Sequence, residues 1–441
     1  MEMEGTMRRI TGATLACAVF VVCLATAGSA WGMSKTVCAS GCPNTSIQAA
    51  INAASAGATI TIGNGTYAEN VVVNKPLTLQ GSGKNTVIEP AVSKPVCAGG
   101  SLCGGTASNI ILVQANDVTL TNMRLEGDNP GLTSGVVVAG KDIDARNGII
   151  TNHEAGTFNN LTVSKVTIAD VYLRGIYASS GGSFVFKNDT VQNVQAEEAS
   201  IAMFAFEGTG VMEHNEVTEA NDAISANWSK GIQFLNNTVT KSGSGVHTDN
   251  NGGSGGSADL IKGNKISECK ENGYGVWVFA PYVSATVEQN KVSGCYIGMA
   301  AFGGAVSGQG PTFAANKVNG TGAKTSDPAG SYGAYLTTDQ LGFAFGDLTA
   351  QLTGNQVTDT GTALLVTQTS PSPGQPAGGQ ATVTASGNSF HKDGAGANGE
   401  TGTIVNAENN WWGCKQGPNV GPMCDTATGT VDYTPWLIAK P

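Results

Sequence analysis

Counted from an asparagine that recurs along the chain, the side chains able to do sugar chemistry fall into columns. Asp222 and Glu271 each stand seven residues after such an Asn, and Ser244 holds the same place between them. If these places stack as neighbouring strands, two spacings put the carboxylates about 9.6 Å apart. That is the wide limit for an acid and a base flanking a glycosidic bond and its attacking water. Asp249 and His247 form a second acid/base couple two residues apart. Thirteen places after the Asn come Trp228, Asn250 and Trp277; twelve places after it come Asn227, Asp249, Val276 and Phe302. With Tyr274, Phe279, Tyr282 and Tyr296 nearby, aromatic faces that stack on sugar rings flank groups that hydrogen-bond hydroxyls. The same residues admit plainer readings, an inward aromatic stack filling a core and solvated acids in turns.

The columns depend on the repeat. Asn188, Asn215, Asn237, Asn264, Asn290, Asn316, Asn355, Asn388 and Asn410 each open a short β-rich phrase, at steps of 27, 22, 27, 26, 26, 39, 33 and 22 residues. A period in the twenties with strand content marks a solenoid, here a parallel β-helix whose coils bury their cores only by stacking. An Asn amide, donor and acceptor at once, bonds its own backbone and the Asn above and below, and tolerates the left-handed corner of a coil. Weaker punctuation at Asn85, Asn116 and Ser164 extends the count toward the start. Insertions near 321–340 and 369–380 lengthen two coils and are placed to wall a groove.

Composition agrees: abundant Gly (61 of 441), charged residues at only 13% and aromatics at 6% suit many short turns and small stacked side chains. A net charge of −10 disfavours nucleic acid and free polyuronates, leaving neutral glycans or uronates bridged by calcium. The stretch 249–259 has acids for calcium but no EF-hand spacing.

Residues 1–30 read as a signal peptide, with Arg8 and Arg9, an apolar run from Ala13 to Ala27 and a small-residue site at Gly28-Ser-Ala30. No later segment reads as a transmembrane span, so a secreted or cell-envelope protein is expected. The eight remaining cysteines then predict disulfides: Cys38 with Cys42, Cys97 with Cys103, Cys269 with Cys295, and Cys414 with Cys424. Cys269 and Cys295 each lie five residues after a repeat Asn, one strand spacing apart if the coils stack.

Within 31–57, Thr45-Ser-Ile-Gln48 reads as a capping box before Ile47, Ala50, Ile51 and Ala54 at helical spacing, with Gly57 as the stop. This short helix is expected to cap the open end of the solenoid that occupies 58–441. Ser46-Ile-Gln-Ala-Ala-Ile51, Gly65-Thr-Tyr67, Glu69, Val71 to Val73 and Leu77-Thr-Leu-Gln-Gly81 resemble the opening of pectin-lyase-like right-handed β-helix proteins, pectin methylesterases and NosD-type periplasmic proteins among them. The later Asn-x-Val coils and the closing Asn409-Asn-Trp-Trp-Gly413 resemble generic β-helix repeats. The resemblance covers nearly all of the chain after residue 30 and implies architecture, not chemistry. Gly342-Phe-Ala-Phe-Gly-Asp347 lacks the leading acid of the methylesterase motif, the polygalacturonase motifs are absent, and the middle coils show no lyase-type Arg beside acids.

The sequence therefore predicts an all-β, single-stranded, right-handed parallel β-helix with an N-terminal capping helix. Its expected partner is a polysaccharide, bound or cleaved in lyase- or glycosidase-like fashion on a lateral face, with Asp222, Asp249, Glu271 and His247 as catalytic candidates. Trp228, Asn250, Tyr274, Trp277 and Phe302 are the substrate-binding candidates. The rival reading is a non-catalytic scaffold presenting loops.

Overall fold

The computed structural model describes residues 35–250, 258–279, 285–303, 310–339, 346–368 and 378–441. The signal-peptide call, most of the 369–380 insertion, and Tyr282 lie outside them. Short strands, mostly three to six residues, alternate buried and outward side chains and are broken by tight corners. Among the described residues they form three long sheets of 15, 13 and 13 strands, most strands pairing in parallel with the strand three places along the chain. The chain thus winds through sheet one, sheet two and sheet three in every coil, which is a parallel β-helix. One apolar core runs from Val37 to Ala427. It is built from β-branched and small side chains contributed by each coil in turn.

The Asn column holds the corner between sheets one and two. Each buried amide works across three coils. The Nδ2 of Asn264 donates to the Phe234 carbonyl in the preceding coil and to Asn290 Oδ1 in the next, both at 2.9 Å, while Asn264 Oδ1 accepts from the backbone N–H and Nδ2 of Asn237. The pattern repeats from Asn215 to Asn410. Contrary to the sequence reading, the ladder Asn is not the left-handed residue. That conformation belongs to the residue before it, as at His214, Asn236, Gln289 and Ala315.

The column also starts later than expected. Asn188 is a left-handed corner residue, and Asp189 takes the ladder position, its carboxylate accepting from Val166 N–H at 2.9 Å while its own N–H reaches Asn215 Oδ1. Earlier coils put Val166, Met123 and Thr86 there, so Asn85, Asn116 and Ser164 are not members.

The four predicted disulfides are present. Cys269 and Cys295 face each other on adjacent coils with Cα atoms 4.8 Å apart.

The helix spans Ile47–Ala53, with Ser46 as N-cap, one residue later than the motif suggested. Gln48 does not reach back to complete a capping box. Instead Glu69 accepts from the backbone N–H groups of Ile47 and Gln48, because a carboxylate suits the positive helix start better than an amide. Gln48 is thereby freed to pair its amide with both the N–H and C=O of Val72, on the first strand of sheet three. Lys75 donates to the terminal carbonyls of Asn52 and Ala54. No helix among the described residues is long and apolar enough to cross a membrane.

Replacing Asn264 by Ala leaves the donors of Asn237 and the Phe234 carbonyl without partners inside the core. At about 1–3 kcal/mol for each buried unsatisfied group, urea unfolding should show a loss of about 3 kcal/mol or more. Asp189 tests the same logic with a proton. Burial pushes its carboxyl up to about 8, and its Oδ2, at the end where an amide would donate, has no partner among the described residues. The native state therefore holds a proton that the unfolded chain loses near pH 4, and stability should fall as pH rises from about 4 to about 8. Asp189→Asn should remove that slope and raise stability at pH 8, as read by thermal unfolding across pH.

Candidate site on the outer face of sheet three

Sheet three departs from simple alternation, and the departure builds the site. Its strands carry a small residue at the second position: Arg174-Gly-Ile, Asp222-Ala-Ile, Ser244-Gly-Val, Tyr274-Gly-Val, Ile297-Gly-Met and Tyr332-Gly-Ala. A Cβ added at Gly275 would meet the Gly298 carbonyl at 2.4 Å and Val292 Cγ1 at 2.5 Å, so the backbone there lies against the core. The residue after it is also buried in the core, and the flanking residues are thrown outward.

Two outward columns result. One reads Arg174, Ile201, Asp222, Ser244, Tyr274, Ile297, Tyr332; the other reads Tyr177, Phe204, Ser225, His247, Trp277, Ala300, Tyr335. The aromatic residues are not core filling. Tyr274, Trp277, Phe279, Phe302, Tyr332 and Tyr335 belong to an apolar cluster separate from the main core.

The register corrects the sequence count. Trp277 pairs with His247, not Asn250, and Val276 pairs with Val246, not Asp249. Six residues, 268–273, precede the Tyr274 strand, where three, 241–243, precede the Ser244 strand. Counting from Asn therefore slips by three across this coil. For the same reason Glu271 does not stack above Asp222; the column runs from Asp222 through Ser244 to Tyr274, and Glu271 is an exposed turn residue. The small-residue beat of sheet three was the sequence signal that would have fixed this register.

His247 is the centre of the patch. Its Nδ1 lies 2.9 Å from Ser225 Oγ and 3.5 Å from Asp222 Oδ2. Both neighbours share one ring nitrogen, which excludes a Ser-His-Asp relay, since that needs the hydroxyl and the carboxylate on opposite nitrogens. Trp277 stacks on the imidazole at a centroid distance of 3.6 Å and 6°, and its indole N–H donates to Ser244 Oγ at 2.6 Å. His247 Nε2 and Asp222 Oδ1 are buried with no partner among the described residues.

Toward the N-terminal coils, Tyr177 and Phe204 stack at 4.7 Å under the guanidinium of Arg174, which burial lowers to a pKa of about 10. Arg174 stands two coils before Asp222 in the same column. Motif comparison overlooked it because it has no acid beside it in sequence.

Asp249 is placed otherwise than expected. Its Oδ1 accepts from Trp228 N–H at 2.8 Å, and burial raises its pKa. It thereby ties down a bulge at which Trp228, left-handed and 47% exposed, leaves the ladder register. Trp228 stacks on Phe206 at 5.9 Å. Asn250 pairs through its backbone with Ser229, and its side chain lies outside the described residues.

The stretch considered for calcium includes 251–257, also outside them. At its end Asp259 already accepts from Ser229, Thr248 and the N–H groups of Gly231 and Ile232. Among the described residues no three His, Cys, Asp or Glu side chains gather as a metal site. The 321–331 part of the first insertion folds beside the aromatic cluster, where Asp327 accepts from the hydroxyls of Tyr296 (2.8 Å) and Tyr332 (2.9 Å).

A "Right handed beta helix region" family model matches residues 147–319. No curated protein sequence matches the chain. Among solved structures it is similar to the A-module of the Azotobacter vinelandii mannuronan C-5 epimerase AlgE6, at 16% identity and a TM-score of 0.58 over 88% of this chain and 94% of that one. It is similar also to a mutant of the periplasmic alginate epimerase AlgG, at 12% identity and a TM-score of 0.52 over 79% and 75% of the two chains. XylC in complex with xylose follows at 10% identity and a TM-score of 0.50 over 81% and 83%. At such identities the likeness is one of fold. The chain is a right-handed parallel β-helix.

Asp249→Ala should release the bulge, costing about 1–3 kcal/mol. Thermal unfolding and a change in Trp228 quenching by iodide would register it.

Proposed function

We propose that this protein binds and processes an extracellular or cell-envelope polysaccharide on the outer face of sheet three. The observation that carries the reading is the outward cluster of Tyr274, Trp277 and Tyr335, packed over the buried Phe302, beside the His247–Asp222 pair. Aromatic faces stack on the apolar faces of sugars, and the half-buried Asn227 stands on the same face to bond hydroxyls. Two of the similar structures are named for mannuronan or alginate epimerases, which makes a uronate the first substrate class to test.

A uronate offers an acidic C–H next to its carboxylate. With the Nδ1 proton directed at Asp222, the Nε2 of His247 has the lone pair to take that hydrogen, and Asp222 stabilises the imidazolium that forms. The C–H electron pair then forms the new double bond as the glycosidic C–O bond breaks, and the leaving oxygen takes a proton from solvent water. Arg174 supplies a cation two coils away for a carboxylate further along the chain. A hydrolytic carboxylate pair of Asp222 and Glu271 is not supported by the register. The rival, a non-catalytic scaffold, is favoured by the burial of His247 Nε2. Four disulfides and the 1–30 segment support export, and the Ile47–Ala53 helix, with Gln48 on the Val72 edge, supports a closing role at the N-terminal end.

The test is incubation with polyuronates and neutral glycans, with and without calcium, followed by assays for unsaturated products and reducing ends. Unsaturated products are expected. His247→Ala and Asp222→Ala should each lower kcat about 100-fold or more, Trp277→Ala should mainly raise KM, and Glu271→Ala should retain turnover. Full activity in the His247 and Asp222 variants removes the site, and absence of binding to every glycan favours the scaffold.

A further inference from the structure

Sheet two carries a feature that the sheet-three site does not use. Lys265, Lys291 and Lys317 occupy one column on three successive coils, in direct register and exposed. Their Cα atoms are about 4.8 Å apart, and like charges directly opposite in a sheet are destabilising. No ion pair relieves them among the described residues. Glu288, an acid close in sequence, pairs with Lys262 at 2.7 Å on the other side of the corner. Glu216 stands two rungs before Lys265, and Asp359, past the other end, accepts from Asn319. The lysines line a groove of about 370 Å³ together with Ser293, Gln356 and Thr358. This is a concentrated positive strip on a chain whose net charge is −10.

We propose that this strip is a second binding track, separate from the sheet-three face, for a linear anionic polysaccharide. Repulsion among three stacked ammonium groups is relieved when a chain with one carboxylate per sugar lies along the solenoid axis. Ser293, Gln356 and Thr358 then meet the sugar hydroxyls. Nucleic acid fits less well, because the surrounding acidic surface repels a denser polyanion and the groove has no aromatic side chain for a base. The track would hold polymer on one side of the solenoid and does not depend on chemistry on the other.

The experiment measures binding of the full chain to polygalacturonate, alginate, neutral dextran and double-stranded DNA by affinity electrophoresis at low and raised salt. Wild type should bind the two polyuronates in a salt-sensitive way, and the triple variant Lys265→Gln, Lys291→Gln, Lys317→Gln should lose at least tenfold in affinity with an equal or higher Tm. The preserved or raised Tm separates a ligand role from a structural one. No polyuronate binding by wild type, unchanged affinity in the triple variant, or DNA bound as tightly as polyuronate would each overturn the proposal. Binding lost in Trp277→Ala but kept in the triple variant would assign all recognition to sheet three; the reverse result would support the lysine track and leave the sheet-three reading without its ligand.

Discussion

A buried amide that must satisfy three coils at once is the constraint on which the rest of this protein depends. Each ladder Asn ties a carbonyl behind it to an amide ahead of it, so a coil cannot slip by one residue without stranding polar groups in an apolar core. Once that corner is locked, sheets one and two follow with nearly fixed spacing, because the strands beside it are short and uninterrupted. The cost of locking appears one residue earlier, where non-glycine residues such as His214 and Gln289 are held in the left-handed region. Asp189 shows how strict the position is: a carboxyl there is driven toward its neutral form, the form that can donate as an amide does.

Sheet three is governed by a different rule and therefore has different freedom. It lies farthest along the chain from the Asn corner, across turns that vary from one residue, Asn221, to twelve, 320–331. Its register is set by small residues pressed onto the core, as Gly275 is against Gly298 and Val292. Because the small residue faces inward, the side chains on either side are presented outward in pairs. Arginine, histidine, acid and aromatic residues so far apart in sequence become one surface. Variation in turn length is tolerated here because the core contact, not the turn, decides alignment. The Asp249-tethered bulge at Trp228 and the insertion that seats Asp327 against two tyrosines are elaborations at the borders of that surface.

The two lateral faces are thus chemically distinct. One is aromatic with a buried acid/base pair; the other is a cationic strip that raises the folding cost of its own sheet. Stacked like charges in a protein of otherwise acidic character are a local conflict between sequence and stability, and such conflicts gather where a surface has a task other than holding the fold.

By itself the sequence determined the coil, its Asn column from Asn215 onward, the four cysteine pairs and the helix before the first coil, because those features repeat or are local. It also brought Asp222, His247, Tyr274, Trp277 and Phe302 into one neighbourhood. Only the tertiary structure decided which of them touch. It set His247 against Trp277 and Asp222, moved Glu271 into a turn, turned Asp249 into the tether of a bulge, and added Arg174, Ser225 and Tyr335 from distant coils. The physical reason is that periodic backbone bonding can be counted along a chain. Side-chain direction on sheet three depends instead on where small residues meet the core, and a three-residue change in one corner reassigns every neighbour of the strand that follows it.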